Sequence, residues 1–406
     1  MPKLQKSETL LLQLLGCAVR GESFSPTEKH AKELWEQVFT LSWQHRVNAL
    51  AAQALYPGTA LAEFPGLWQR FRQAARSTTL GQAARTAEFF ELLRELEKRG
   101  RKPVILKGLI CRSLYPEPEQ RPSTDEDLLI VPEELEAYHE ALLACGLQLA
   151  EGESLSKDAD EISYEDRERK LTLELHLRPF PRNAGAYEDC NAVLEGALAR
   201  SVSTHVYGQP VRTLEPSDHL LYLLCHAYKH ILYCGVGVRQ ICDICLFAQT
   251  YADRIDWDRI GRSCHILGIS SLAAAMFRIG ARHLGIPEPG SFREWEGDEL
   301  PLLLDCLSGG LYGCEDPDRL HSSNLTLEAV AANKQGRAER GIWSSLFPGK
   351  DYLQRRYPYA QKHPWLMPAA WAQRIWAYLL GGKASPARSL QIGRERVELL
   401  RQYDLL

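Results

Sequence analysis

The sequence predicts an α+β protein in which a small mixed β-sheet is held between two helical regions. Three observations lead there. Apolar residues recur at helical spacing from Ser7 to about Arg99, as in Leu34, Val38 and Leu41. Between residues 100 and 213 the pattern changes to short apolar runs and one strict alternation. From Pro216, Ser217 and Asp218 onward, helix-opening residues restore the helical period, which holds to the end. The expected organisation is therefore a helical region over 1–99, a compact strand-rich core over 100–213 and a second helical region over 214–406.

At the N-terminus, Lys3 and Lys6 before Leu10 to Val19 imitate a secretory leader, but Gln13 interrupts the run and the apolar positions fit an amphipathic helix. Breaks are expected at Pro57-Gly58 and Pro65-Gly66, followed by a long amphipathic helix from Gln82 to Lys98 that stops at Gly100. The short apolar run Pro103 to Leu106 then reads as a strand leading into Lys107-Gly108, a brief helical stretch to Leu114 and a proline-rich loop through Arg121. Asp127 to Val131 is a second strand, stopped by Pro132. Glu133 and Glu134 sit in the first turn of a helix that runs to about Cys145 and ends at Gly146.

Ile162–Tyr164 and Lys170–Leu177 flank the polar tip Glu165–Arg169 as the arms of a hairpin. In the second arm Leu171, Leu173, Leu175 and Leu177 face one way and Thr172, Glu174 and His176 the other, the period of a half-buried strand. A shorter hairpin turns at Gly208-Gln209. In the last region, clusters of Gly, Asp, Pro and Ser predict loops over 309–324 and 348–351. Trp343, Trp365, Trp371 and Trp376, with Leu379 and Leu380 beside them, read as helix packing rather than as a stacking surface for bases.

With 406 residues, 45% of them apolar and 25% charged, the chain is long enough for a well-buried core and two or three subdomains. A net charge of −4 without long single-sign blocks gives no electrostatic footprint for a nucleic-acid backbone, so nucleic acid is not the expected partner. No apolar run approaches the ~18 residues that a bilayer-spanning helix needs. Eleven scattered cysteines, an odd number, point to reduced thiols and a cytoplasmic setting rather than a disulfide framework. Cys242 and Cys245 lie near His226 and His230 in sequence, but Ile241, Ile244, Leu246 and Phe247 surround them and no second cysteine pair follows at zinc-ribbon spacing. They read as small core residues.

One constellation carries chemistry. Asp125 and Asp127, at i and i+2 entering a strand, project from one face and suit a shared divalent cation. Glu174, on the polar face of a later strand, supplies a third carboxylate if the two strands are neighbours. Three hard oxygen ligands beside a phosphate site suit Mg²⁺. Lys107-Gly108, at a strand-to-helix junction, offers close backbone approach and a positive charge to phosphate, and Arg121 in the following loop is a further candidate phosphate contact. Each element alone is common in loops, turns and solvated strand faces; the information lies in their order.

Val104-Ile-Leu-Lys-Gly-Leu-Ile, Leu114-Tyr-Pro and Arg121-Pro-Ser-Thr-Asp-Glu-Asp-Leu-Leu-Ile resemble the bacterial uncharacterised nucleotidyltransferase family, a branch of the DNA polymerase beta-like superfamily. The resemblance extends to Leu173-Glu-Leu-His, to Leu221–His230 with its histidines four apart, to Asp243 and to Ile255-Asp-Trp-Asp. Leu346-Phe-Pro and Trp365-Leu-Met-Pro resemble its C-terminal part, so that the likeness runs from about Trp35 onward. It implies a sheet of the polymerase beta type, with Asp125, Asp127 and Glu174 as catalytic metal ligands and Lys107 with Gly108 as the phosphate turn. It also implies Mg²⁺ or Mn²⁺ as cofactor and transfer of a nucleoside monophosphate from an NTP to an unidentified hydroxyl-type acceptor, a small molecule or a protein. His176, His226 and His230 are candidates for the wall of the acceptor cleft. Two positions depart from the pattern: Glu126 stands where an apolar residue is usual, and Glu174 where Asp is common. They open the alternative of an inactive nucleotide-binding or protein-interaction module that retains the fold.

Overall fold

The computed structural model describes residues 3–182, 185–310, 317–334, 336, 357, 359, 363–380 and 386–406. Four helices come first: α1 (Lys6–Val19), α2 (Lys32–Gln44), α3 (Asn48–Leu55) and α4 (Pro65–Lys98). In α1, Leu10, Leu11, Leu12, Leu14 and Leu15 are buried while Gln13 faces solvent, which is the amphipathic arrangement expected. The break expected at Pro65-Gly66 is where α4 begins, but the helix read as starting at Gln82 starts here instead and runs unbroken for 34 residues. Proline at the first helical position has no intrahelical N–H partner to lose, so it starts this helix instead of interrupting one.

The strand-bearing segment contains β1 (Val104–Ile105), α5 (Gly108–Arg112), β2 (Glu126–Leu129), α6 (Leu135–Ala144), β3 (Gln148–Leu149), β4 (Glu161–Asp166), β5 (Leu171–His176), α7 (Cys190–Val193), β6 (Val202–Val206) and β7 (Gln209–Thr213). The strands form one seven-stranded sheet in the order β3-β4-β5-β2-β1-β7-β6. β2 runs parallel to β5, and β1 parallel to β7; the other pairs are antiparallel. The alternation read in β5 is realised: Leu171, Leu173 and Leu175 are buried on one face, and Thr172, Glu174 and His176 take the other. At the tip of the β4–β5 hairpin, Asp166 Oδ1 accepts the amides of Glu168 and Arg169 and closes the turn.

α8 (Pro216–Tyr233) follows directly, capped by the Glu215 carboxylate on the amides of Ser217 and Asp218. Arg200 and Arg259 both bond the buried Asp218, pinning the start of α8 to the segment before it and to a later helix. Next come α9 (Val238–Thr250), α10 (Trp257–Leu267), α11 (Ser270–Ile279), α12 (Leu300–Ser308), α13 (Pro317–Lys334), α14 (Met367–Leu380) and α15 (Pro386–Gln402). One contiguous apolar core takes residues from Leu10 to Leu405 and joins both helical regions to the sheet. No described helix is long and apolar enough to cross a membrane. The ten described cysteines are free thiols, nine of them buried; Cys242 and Cys245 lie in the core face of α9.

Two C-terminal expectations change. Residues 317–324, read as loop, belong to α13. Its two serines satisfy themselves on the preceding turn, Ser322 and Ser323 bonding the carbonyls of Arg319 and Leu320, while Arg319 and Asp318 bond Asp305 and Ser389 outside the helix. Trp365 and Trp376 are exposed, at 75% and 67%, rather than packed in a core, and Trp371 is half-buried beside Ala370. Trp343 and the loop expected over 348–351 lie outside the described residues.

One buried base ties this fold to pH. His219 is fully enclosed, packed against Phe247 with ring centroids 4.7 Å apart and planes tilted by 34°, and has Nδ1 3.1 Å from the Thr213 hydroxyl. That hydroxyl donates to the Ile105 carbonyl at 2.7 Å, so it accepts from His219 Nδ1–H and leaves Nε2 unprotonated and without a partner. Burial holds the imidazole down at about 3. Above the ordinary histidine range both folded and unfolded chains are neutral here and stability is full. As pH falls from about 6.5 toward 3 only the unfolded chain takes up the proton, and His219 should cost stability at up to about 1.4 kcal/mol per pH unit. Urea unfolding across this window should show a steeper loss for the native chain than for His219→Gln; equal slopes would contradict the assignment.

Candidate functional site

The parallel pairing of β2 with β5 builds the site. Its register sets Asp127 opposite Glu174 and Leu129 opposite His176, so Asp127, Glu174 and His176 gather on one face. One ligand atom from each lies within 4.8 Å of the other two. The condition left open by the sequence, that the strands be neighbours, is met. Asp127 is 1% exposed and His176 5%, while Glu174 is half-buried at the mouth. Asp125 stands just before β2, its Oδ1 accepting the Thr124 hydroxyl. It is not part of the close cluster, although its charge acts on both Lys107 and Glu174.

Asp127 uses its two oxygens unequally. Oδ1 lies 3.1 Å from Lys107 Nζ and 3.1 Å from His176 Nε2. Oδ2 is buried with no hydrogen-bond partner. Burial raises a carboxyl's proton affinity, but the Lys107 charge and the His176 hydrogen bond outweigh it and hold Asp127 well below the usual carboxylate range. Glu174 shifts the other way: His176, 3.5 Å distant, pulls it down, but burial and the Asp127 charge push it up further. His176 itself rises to about 9, because its bonds to Asp127 and Glu174 overcome the cost of burial. An enclosed carboxylate oxygen without a donor, beside a second carboxylate, is an oxygen donor set that fits a divalent cation.

Lys107 Nζ also lies 3.0 Å from His226 Nε2 on α8. Burial and then the Lys107 charge hold His226 well below its ordinary value, so the ring is neutral and Nε2 accepts from the ammonium. His230, one turn on, stacks edge-to-face on His226 with centroids 4.4 Å apart and is pushed down to about 3 by burial. The histidine expected at an acceptor wall is thus also a partner of the lysine expected at the phosphate turn. His176, expected in the same wall, lies between Asp127 and Glu174.

Glu126, the residue between the aspartates, has a structural explanation. Strand alternation turns it away from Asp127. Its buried carboxylate accepts the Leu109 amide at 3.0 Å and pairs with Arg112 at 2.7 Å, which anchors α5. A Cβ on Gly108, where φ is +21°, would lie 2.3 Å from Glu126 Oε2. The glycine of the turn is therefore required by this carboxylate, whatever else approaches it. Arg121, proposed from sequence for phosphate, is 5% exposed and bonds Asp243 of α9 through Nε and Nη2 at 3.1 and 2.5 Å. Tyr115 donates to the same aspartate at 2.8 Å. Gln82 accepts the Ser123 amide, Arg112 bonds the Ser123 hydroxyl and Arg239 bonds the Pro122 carbonyl. The loop entering β2 is thereby fixed from α4 on one side and α9 on the other. No short motif announces these contacts, which join residues 11 to 128 positions apart.

The uncharacterised nucleotidyltransferase family matches residues 31–285, from the start of α2 past the end of α11. The chain belongs to that family. No curated protein and no solved structure matches it. The family match takes in β1 to β7 and the helices carrying Gln82, His226 and Asp243, hence every element that builds the site. It ends before Leu346-Phe-Pro and Trp365-Leu-Met-Pro, whose likeness read from sequence lies beyond it.

The Glu126 anchor gives a stability test. Glu126→Ala leaves Arg112 charged, buried and unpaired and should destabilise the fold by roughly 3–5 kcal/mol. Gly108→Ala should also destabilise, since the Glu126 carboxylate must shift. Denaturant midpoints near the native value for both would show that the anchor contributes little.

Proposed function

We propose that the chain is a metal-dependent nucleotidyltransferase that moves a nucleoside monophosphate from an NTP to a hydroxyl-bearing acceptor. The observation that supports this best is the in-register placement of Asp127 beside Glu174, with Asp127 Oδ2 buried and unpartnered inside a family of nucleotidyltransferases. Asp127, Glu174 and Asp125 would hold Mg²⁺ or Mn²⁺, and a divalent cation there supplies charge neutralisation for the triphosphate. Lys107 provides the mobile cation for the phosphates, and Gly108 with the loop from Arg121 shapes the turn beneath them. Arg121 contributes through Asp243, by holding the approach to Asp125, rather than by direct contact.

In the reaction the acceptor oxygen forms a bond to the α-phosphorus, the bond from that phosphorus to the bridging oxygen breaks, and pyrophosphate leaves with the bonding pair. Glu174, half-buried and with its proton affinity raised, accepts the hydroxyl proton. His176 is the positioning residue, donating to Asp127 and lying within reach of Glu174. His226 and His230, on α8, form the wall nearest Lys107 and are the proposed acceptor side. We propose a cytoplasmic setting, and boundaries near residues 100 and 213 between the transferase core and its helical flanks.

A second reading is a nucleotide-binding module without turnover. It is favoured by the two donors already on Asp127 Oδ1, which neutralise the aspartate without any metal. Incubation with each α-labelled NTP, Mg²⁺ or Mn²⁺ and cell extract as acceptor source separates the two. The enzyme should transfer label and release pyrophosphate, and Asp125→Asn with Asp127→Asn should abolish both while the protein stays folded. Nucleotide binding without transfer under every condition would leave the module reading standing.

A further inference from the structure

Lys107 occupies an unusual position for a phosphate ligand. Its ammonium bears directly on the carboxylate expected to hold metal, 3.1 Å from Asp127 Oδ1, and its second partner is an uncharged ring nitrogen, His226 Nε2, at 3.0 Å. The backbone below it is fixed, because the Glu126 carboxylate takes the Leu109 amide and leaves no room for a Cβ at Gly108. The lysine side chain, 20% exposed, is therefore the part that can move. Asp127 Oδ1 already carries the His176 donor, whereas Oδ2 has none. The carboxylate thus has one filled side and one open side, with a tethered cation on the filled side.

We propose that Lys107 is a built-in counter-cation that competes with metal for Asp127 and is drawn off onto the phosphates when nucleotide arrives, with His226 as the neutral acceptor that keeps the ammonium at the site between the two states. This rests on the proposed transferase reading and adds to it a regulation of metal entry. While Lys107 lies on Asp127, a divalent ion approaching Oδ2 meets a positive charge on the same carboxylate and binds weakly. When triphosphate takes the ammonium, Asp127 keeps only the His176 donor on Oδ1 and holds the ion more firmly. Metal and nucleotide are then coupled through a single side chain, and the coupling is reciprocal. His226 suits its part because an acidic residue there would trap the lysine and an apolar one would give it no second partner.

The test is Mn²⁺ binding without nucleotide, read by electron paramagnetic resonance, on the native chain, Lys107→Met, Lys107→Gln and Asp127→Asn. Removing the lysine charge should tighten Mn²⁺ by roughly tenfold, within the usual range of coupling between sites, and Asp127→Asn should abolish binding. The glutamine variant keeps a donor toward His226 and guards against loss of fold in the methionine variant. In the native chain, acylation of Lys107 followed by mass spectrometry should increase several-fold when Mn²⁺ is added, because the ion releases the amine. Unchanged or weaker Mn²⁺ binding in both lysine variants, or Lys107 acylation that Mn²⁺ leaves unchanged or lowers, would overturn the proposal. If Mn²⁺ binds Asp127→Asn as it binds the native chain, the metal site itself is misassigned, a distinct failure that also removes the proposal.

Discussion

A carboxylate as enclosed as Asp127 cannot stay ionised in a protein interior without compensation, and most of the local architecture supplies it. Lys107 arrives from the end of β1, His176 from the end of β5, and His226 from α8 to hold the lysine. Two of these side chains, distant in sequence, meet at one oxygen, and the third holds the lysine. The parallel alignment of β2 with β5 makes this possible, because it sets Glu174 across from Asp127 and brings His176 up beside it. Shift that register by one residue and Leu173 or Leu175 would face the aspartate instead.

The same economy extends outward. Glu126, on the opposite face of β2, fixes α5 and with it the base of Lys107. The loop between α5 and β2 is held by Gln82 from α4, Arg239 and Asp243 from α9 and Arg112 from α5. Helices α4 and α9 thus position loop residues that neither of them contains. The core is correspondingly continuous from α1 to the C-terminus.

Much of this was legible because it depends on local periodicity. The alternation in Leu171–His176 identified β5 and its polar face, whereas of the spaced pair Asp125 and Asp127 only Asp127 lies in β2 and joins the close cluster. What was not legible depends on pairing across long separations. Glu126 looked like a departure from the family pattern, yet alternation alone already turned it away from the site; its partner Arg112 could not be chosen from sequence. Arg121 read as a free cation because Asp243 lies 122 residues away. The helix read from Gln82 starts at Pro65, where proline pre-sets the first helical turn. The polar run at 317–324 hid a helix because its serines satisfy themselves on the preceding turn.

On the proposed reading Asp127 and Glu174 together form the metal-binding centre of a nucleotidyl-transfer site, with Lys107 changing partner when nucleotide binds. A crystal structure with a non-hydrolysable NTP analogue and Mn²⁺ tests it most directly, since anomalous scattering locates the ion. Manganese should sit on Asp127 Oδ2 and Glu174, with the Lys107 ammonium on the phosphates. Manganese and nucleotide bound elsewhere, with Lys107 still on Asp127, would contradict it.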